Sequence, residues 1–275
     1  MGLQNYMRSV EANSILRISR LEKSYKISNG RNTLPVLHDF DLNVGEGEFV
    51  TLIGPSGCGK STLLNIVAGL EGYDSGEIVF KGQTVPVPGH DIVLIFQEDA
   101  LFPWLNVREN VEFGLKQRGI SKEKRRATAD SYVEMVGLKS FAESYMHQLS
   151  GGMKQRVAIA RGLALDPKIL LMDEPFGALD ATNREILQRE IQDIHARTRK
   201  TIVFVTHDVR EAVCLGDRVV VLTRSPAQIR RQFVVDLGRP RRSEDIAVRS
   251  LTNSVLRELK EEGEFGEGEF GESAE

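Results

Sequence analysis

The stretch "EFVTLIGPSGCGKSTLLNIVAGL", Glu48 to Leu70, reads as a strand, a glycine-rich loop and a helix with nothing between them. The apolar run ends in glycines, and helical spacing starts at the lysine and stops near another glycine. Two further runs, "KILLMDEP" and "TIVFVTHD", are short and apolar, the mark of strands covered on both faces of a parallel sheet. "ATNREILQREIQDIHARTR" lies between them as an amphipathic helix, which makes a strand–helix–strand unit. "RVVVLT" adds one more strand. These patterns predict an α/β protein.

The loop "GPSGCGKS", Gly54 to Ser61, has the spacing G-x-x-x-x-G-K-[ST] and the strand-before, helix-after setting that gives this spacing meaning. Glycines let a loop wrap closely with its N–H groups facing phosphates, and the helix start adds its positive dipole end. Gly54, Ser56, Gly57, Cys58, Gly59, Lys60, Ser61 and Thr62 are therefore expected to hold nucleotide phosphates. Lys60 would bridge the β- and γ-phosphates, and Ser61 would ligate Mg2+. A Mg2+ site also needs a carboxylate at the end of a neighbouring strand. "ILLMDE" supplies Asp173 for the metal and Glu174 to polarise an attacking water. Taken alone, this pair reads first as acidic residues at a helix start after a core strand; the phosphate loop elsewhere in the chain favours the metal and water reading. His207 and Gln97 follow other apolar runs, at strand ends where open α/β sheets bind ligands. His207 is a candidate γ-phosphate contact or a structural residue; Gln97 is a candidate for sensing metal or water. Cys58 is either a thiolate favoured by the helix start, which bound nucleotide would protect, or a buried inert thiol.

Residues 1–13 are polar and are expected to fray. "ILRISRLEKSY" reads as strand, "GEIVFKGQTV" as a hairpin strand and "IVLIFQ" as a buried strand. From Val107 to Met146 the chain turns helical and charged, so a helical insertion at 98–165 interrupts the α/β core. At the end of that stretch lies a second glycine-rich helix start, "LSGGMKQR", Leu149 to Arg156, without the lysine. "ALFPW" is either a partner surface or an anchor for the insertion's own core. The acidic Gly-Glu-Phe repeat at 261–275 is expected to be disordered, so that deleting 263–275 leaves activity intact.

A formal net charge of −3 argues against a nucleic-acid partner. The two cysteines, Cys58 and Cys214, form no metal pattern or disulfide framework. No secretion signal and no membrane-length apolar run are seen, which predicts a cytosolic protein that docks onto something in a membrane.

Taken in order, "GPSGCGKST", Gln97, "LSGGMKQR", "ILLMDE", "ALD" (Ala178 to Asp180) and His207 resemble the ATP-binding subunit of ABC transporters, over about residues 14–240. The resemblance implies a P-loop NTPase (RecA-like) core with an antiparallel β subdomain and the inserted α-helical subdomain. A helical extension at 241–260 and the acidic tail would follow. ATP and Mg2+ are the implied cofactors. Two copies would face head to tail, with Ser150, Gly151 and Gly152 capping the γ-phosphate on the partner's loop, so the second glycine start needs no lysine. Tyr25 matches the aromatic that stacks on adenine, or is an ordinary edge-strand tyrosine. Asp180 matches the loop joining the two sites. "QEDALFPWLNVRENVEFGL" and "LTRSPAQIRRQFVVDLGRPR" resemble import ATPases for nitrate, aliphatic sulfonates or taurine. Polyamine- and maltodextrin-type import ATPases carry a large C-terminal regulatory domain, for which too little chain follows His207. The implied partners are multi-span permease subunits, whose coupling helix would enter a groove formed after Gln97, and indirectly a substrate-binding protein. The location would be the cytoplasmic face of the membrane. A small-molecule kinase has no use for "LSGGMKQR", and the guanine-reading Asn-Lys-x-Asp of a GTPase is absent. The remaining alternative is a soluble ABC ATPase of translation or DNA repair, which would carry two cassettes or long coiled coils.

Overall fold

A computed structural model describes residues 3–27, 32–84, 90–97, 100–177 and 179–261. The apolar runs at 49–53, 169–173, 201–205 and 218–222 become β3 (Phe49–Ile53), β7 (Ile169–Asp173), β8 (Thr201–Val205) and β9 (Arg218–Leu222). With β6 (Ile92–Ile95) they form a parallel sheet, and β10 (Ile229–Val234) adds an antiparallel edge, in the order β10-β9-β3-β8-β7-β6. A second, antiparallel sheet has the order β2-β1-β4-β5, from β1 (Ser14–Ile27), β2 (Asn32–Gly45), β4 (Ser75–Phe80) and β5 (Gln83–Thr84). Helix α2 (Lys60–Val67) buries Leu63, Leu64, Ile66 and Val67 in one cluster with residues of both sheets. The phosphate-type loop is thereby clamped between them.

Between β6 and β7 lie α3 (Val107–Gln117), α4 (Lys122–Met135) and α5 (Gly151–Ala164), which share a core with α6 (Ala181–Thr198). Asn106 starts α3 with a capping box to Glu109. Buried Asn110 accepts from the Phe102 N–H (2.9 Å) and donates to the carbonyls of Phe102, Leu105 and Asn106, which fixes the "LFPW" turn. Helices α7 (Val209–Leu215) and α8 (Ile246–Glu261) pack with β9 in a third cluster.

Two expectations are corrected. Residues 3–12 form α1 (Leu3–Ala12) rather than a frayed end. Val10 is buried, the Tyr6 hydroxyl donates to Glu48 Oε1 at 2.8 Å, and Met7 Sδ lies 3.5 Å from Arg218 Nη1. Those partners are a buried ion pair, Arg218 Nε to Glu48 Oε1 at 2.8 Å, so the helix is tied down by residues far along the chain. "IVLIFQ" yields an edge strand in which only Ile95 is fully buried. The sequence pattern also does not announce β2, β10 or α7. The tail at 263–275 lies outside the described residues.

A candidate nucleotide site at the strand ends

All five residues of β3 are buried, so the strand delivers the following loop directly from the core. A Cβ on Gly54 would lie 3.0 Å from Leu222 Cβ, which leaves no room for a side chain. Gly57 (φ +74°) and Gly59 (φ +116°) are left-handed, and a Cβ on Gly59 would lie 2.7 Å from Val36 Cγ1. Gly59 is the N-cap of α2 and provides no side-chain acceptor, so no side-chain cap covers the helix's first N–H groups on the loop side. Lys60 is buried and donates from Nζ to the carbonyls of Gly54 (2.8 Å) and Pro55 (3.0 Å). Cys58 is 1% exposed, and burial pushes its thiol up, with Lys60 opposing. Of the two readings of Cys58, the structure favours the buried thiol: desolvation outweighs the helix start, and the side chain belongs to the core.

Asp173 ends β7, in register with Val205 of β8. Burial pushes its carboxyl up, and a hydrogen bond with the Ser61 hydroxyl opposes that shift. Its Oδ1 is buried and has no partner. A buried, unpaired oxygen on a half-buried carboxylate beside a serine hydroxyl is the donor set a Mg2+ ion would satisfy. Gln97 is exposed just beyond β6, its Nε2 3.8 Å from where a Cβ on Gly177 would stand. It thus reaches the loop that follows Glu174.

Glu174 occupies the left-handed region (φ +43°), unusual for a non-glycine residue, and its N–H donates to Val205 O at 3.0 Å. This turn brings Oε2 to 3.0 Å from His207 Nδ1. The histidine holds the Glu174 carboxyl below its usual range, and Glu174 in turn raises the imidazole. Neighbouring Glu211 was not marked by sequence reasoning. Asp208 caps α7, accepting from the N–H groups of Arg210 and Glu211, so Asp-x-x-Glu reads as an ordinary helix start. Yet Glu211 is 4% exposed, accepts from Gln188 Nε2 at 3.2 Å, and has its carboxyl pushed up to about 7 by burial. Only the tertiary environment sets it apart.

Tyr25 of β1 is exposed, with its hydroxyl 3.4 Å from Thr62 Oγ1 and Lys23 Nζ 4.8 Å from its ring centre. These contacts draw Tyr25, the Gly54–Thr62 loop, Asp173, Glu174, Gln97 and His207 towards one locus. Ser150, Gly151 and Gly152 are held elsewhere. The Ser150 side chain caps α5 by accepting the Met153 N–H (3.3 Å), and Cβ atoms on Gly151 and Gly152 would meet Leu179 (3.9 Å) and Asn183 (3.6 Å). Asp180 caps α6 on the same segment, accepting from Asn183 N (3.0 Å). Ala178 lies outside the described residues.

A model of the ABC transporter family matches residues 37–177. The chain is 50% identical over 207 residues to a nitrate import ATP-binding protein, NrtD, of Synechocystis sp., covering 75% of this chain and 78% of that one. It is 42% identical over 251 residues to a taurine import ATP-binding protein, TauB, of Roseobacter denitrificans (91% and 90%). It is 49% identical over 245 residues to a bicarbonate transport ATP-binding protein, CmpC, of Synechococcus elongatus; that match covers 88% of this chain and 37% of CmpC. The translation and repair alternative finds no support among these relatives. A solved ATP-binding cassette, a post-hydrolysis dimer bound to ADP and Pi, superposes with a TM-score of 0.71 at 34% identity, over 81% of this chain and 100% of that one. The chain belongs to the ABC transporter family as an ATP-binding subunit, an ATPase coupled to transmembrane transport.

Proposed function

We propose that this chain hydrolyses ATP for an importer of a small anion, as a head-to-tail homodimer beneath multi-span permease subunits at the cytoplasmic face of the membrane. The observation that carries the catalytic part is the Glu174–His207 pair, 3.0 Å apart, beside Lys60 and a buried, unpaired oxygen of Asp173. The uncapped start of α2 receives the phosphates, and Lys60 exchanges two neutral carbonyls for anionic oxygens, a stronger class of hydrogen bond. Ser61, Asp173 and Gln97 would hold Mg2+ together with phosphate oxygens, and the ion would neutralise charge developing there. Glu174, kept ionised by His207, orients the attacking water and accepts its proton. With Nδ1 engaged by Glu174, the His207 ring has Nε2 left to meet the γ-phosphate. Tyr25 stacks on the adenine.

The relation to a dimeric cassette supports the reading that Ser150, Gly151 and Gly152 cap the partner's nucleotide. The permease interface rests on Trp104, 70% exposed, at the rim of a groove of about 460 Å3 lined by Arg108, Glu112, Phe113 and Arg126. Phe102 packs on Phe113 (ring centres 4.3 Å apart) and anchors the insertion, while Trp104 leans on Phe102 (5.5 Å) and leaves its exposed face for a coupling helix. A substrate-binding protein would act through the permease. No described helix is long and apolar enough to cross a membrane. The relatives named for nitrate, taurine and bicarbonate support a small anion as cargo, selected by the other subunits.

Glu174→Gln is expected to keep ATP affinity, lose hydrolysis by about 10³-fold and accumulate an ATP-bound dimer on gel filtration. Hydrolysis near the wild-type rate would overturn the assignment. Co-purification of the chain with a permease from membranes, followed by uptake of labelled nitrate, hydrogencarbonate and taurine, tests the transport half. The ion pair also gives a pH signature. His207 is raised, so its stabilisation is complete below the unfolded imidazole value and is lost as pH rises through the folded one; Glu174 is lowered, so its share is lost as pH falls through its folded value. In NMR titration, His207 should titrate above an ordinary imidazole and fall back in Glu174→Gln; an unchanged value would show that the pair does not form.

A further inference from the structure

Away from Lys60, at the opposite end of the parallel sheet, the last turn of α6 and the entrance to β9 border a cavity of about 510 Å3, with α1 and β10 completing its wall. Its polar lining includes Tyr6, His195, Arg199, Asp217, Arg239 and Arg241, with Asp236 exposed at the rim. His195 is 1% exposed, and its ring stands edge-on to Phe49 with centres 5.3 Å apart. Its Nε2 lies 3.1 Å from the carbonyl of Gly47. A carbonyl only accepts, so Nε2 carries the proton. Burial and the neighbouring Arg239 oppose a second proton, which leaves Nδ1 as a bare lone pair. That Nδ1 is buried and unpartnered.

The same wall holds the complementary defect. Arg239 gives Nη1 to Asp217 and Nη2 to the carbonyl of Leu215, but its buried Nε–H has no partner. Arg241 is committed to the carbonyls of Val213, Gly216 and Leu237. Arg199 stands exposed at the mouth, in the left-handed cap of α6, with no ion pair among the described residues. Asp217 pairs with Arg239, lies 3.7 Å from Arg241 Nη2 and accepts from the Phe49 N–H. Three guanidinium groups against two carboxylates leave the lining net positive. A buried acceptor and a buried donor left unmet each cost free energy, so a ligand that meets both is favoured.

We infer that this cavity binds a small oxyanion that keeps one O–H, of the hydrogencarbonate or hydrogenphosphate class: the O–H donates to His195 Nδ1, and the anionic oxygens accept from Arg239 Nε and Arg199. Nitrate has the charge but no hydrogen to give. The site is separate from the nucleotide site and does not depend on the reading of it.

The test is NMR of the full chain with 15N-labelled histidine at pH 7.5, titrated with hydrogencarbonate, inorganic phosphate or nitrate. One of the first two should saturate and move the His195 Nδ1 resonance, which names the source. Nitrate should bind about tenfold more weakly, the worth of one hydrogen bond to a buried acceptor. Arg199→Gln, at the surface and therefore folded, should weaken binding by about tenfold, and Lys60→Ala should leave it unchanged. His195→Phe should abolish it. Binding that disappears in Lys60→Ala belongs to the nucleotide loop and overturns the proposal. So does equal binding of nitrate, or no movement of His195 with either protonated anion, which would mean that the cavity holds water alone.

Discussion

Two glycine-rich helix starts in this molecule are finished in opposite ways. The α2 start has left-handed glycines at 57 and 59, no side-chain cap, and a buried lysine turned back onto the loop. The α5 start has ordinary backbone, a serine that already satisfies the Met153 N–H, and Gly151 exposed. An uncapped helix start with a cation beside it is a complete anion cradle. A capped one with an open glycine face has only a hydroxyl and nearby N–H groups to lend to something arriving from outside. The difference teaches that the second start makes sense as part of a site finished by another molecule.

Mixed dimers give the largest expected effect, because they separate the two starts onto different chains. Lys60→Ala removes the cradle's clamp, and Ser150→Arg puts bulk and charge where the cap should sit. With one substitution on each chain, a trans arrangement gathers both defects in one site and leaves the other whole. With both on one chain and none on its partner, it damages both sites. The measurement is labelled ATP occluded per two-tag-purified dimer: occlusion in the first pairing and little in the second is expected. The reverse pattern would mean that Ser150 serves its own chain's nucleotide, and the comparison between the two starts would lose its meaning.

A pair of glycine substitutions sharpens the contrast at smaller scale. Gly59→Ala forces an L-residue into φ +116° with its Cβ 2.7 Å from Val36, so it should cost about 1–3 kcal/mol and weaken ATP binding to the monomer. Gly152→Ala meets Asn183 at 3.6 Å, ordinary contact, on a helix where alanine is the better former. Its melting temperature should hold or rise, with monomer ATP affinity unchanged and occlusion in the dimer reduced. Equal destabilisation by the two would erase the distinction.

Legibility in the sequence followed burial. β7 and β8 are parallel strands with apolar runs, and their end residues Asp173, Glu174 and His207 were readable as strand-end chemistry. β2 carries Pro35, Asp39 and Asp41 with four exposed residues at its start, and β10 is a half-buried antiparallel edge with two arginines. β10 has neither the alternation nor the continuous apolarity that marks a strand, and in β2 only the end, Phe40 to Val44, alternates, behind a polar, proline-bearing start that hides the strand's length. α1 was missed because its anchors, Glu48 and Arg218, are remote in sequence. The pairing of Glu174 with His207 depends on the β7–β8 register and on a left-handed turn, neither of which leaves a local pattern. Cys58 stays open in the sequence because its place at a helix start suggests a thiolate as readily as a core residue, and only the tertiary packing puts its side chain in the core.

The smallest effect concerns Ser150 itself, which on this reading has two separable duties. It caps α5 within its own chain, and it presents its hydroxyl to the partner's nucleotide. Ser150→Ala removes both. Loss of an N-cap costs about 1 kcal/mol, which for a chain of this size lowers the melting temperature by about 2–4 °C. Ser150→Asp restores the cap, because aspartate accepts the Met153 N–H as well as serine does, but it sets a negative charge against the γ-phosphate. The expected pattern is a melting temperature near wild type for Ser150→Asp and lower for Ser150→Ala, with ATP occlusion weak in both and weakest in the aspartate variant. Calorimetry on the monomer and occlusion in the dimer read the two duties independently. If Ser150→Ala melts like wild type, the capping bond contributes nothing; if Ser150→Asp occludes ATP normally, the serine does not face a phosphate, and the α5 start is only a well-capped helix.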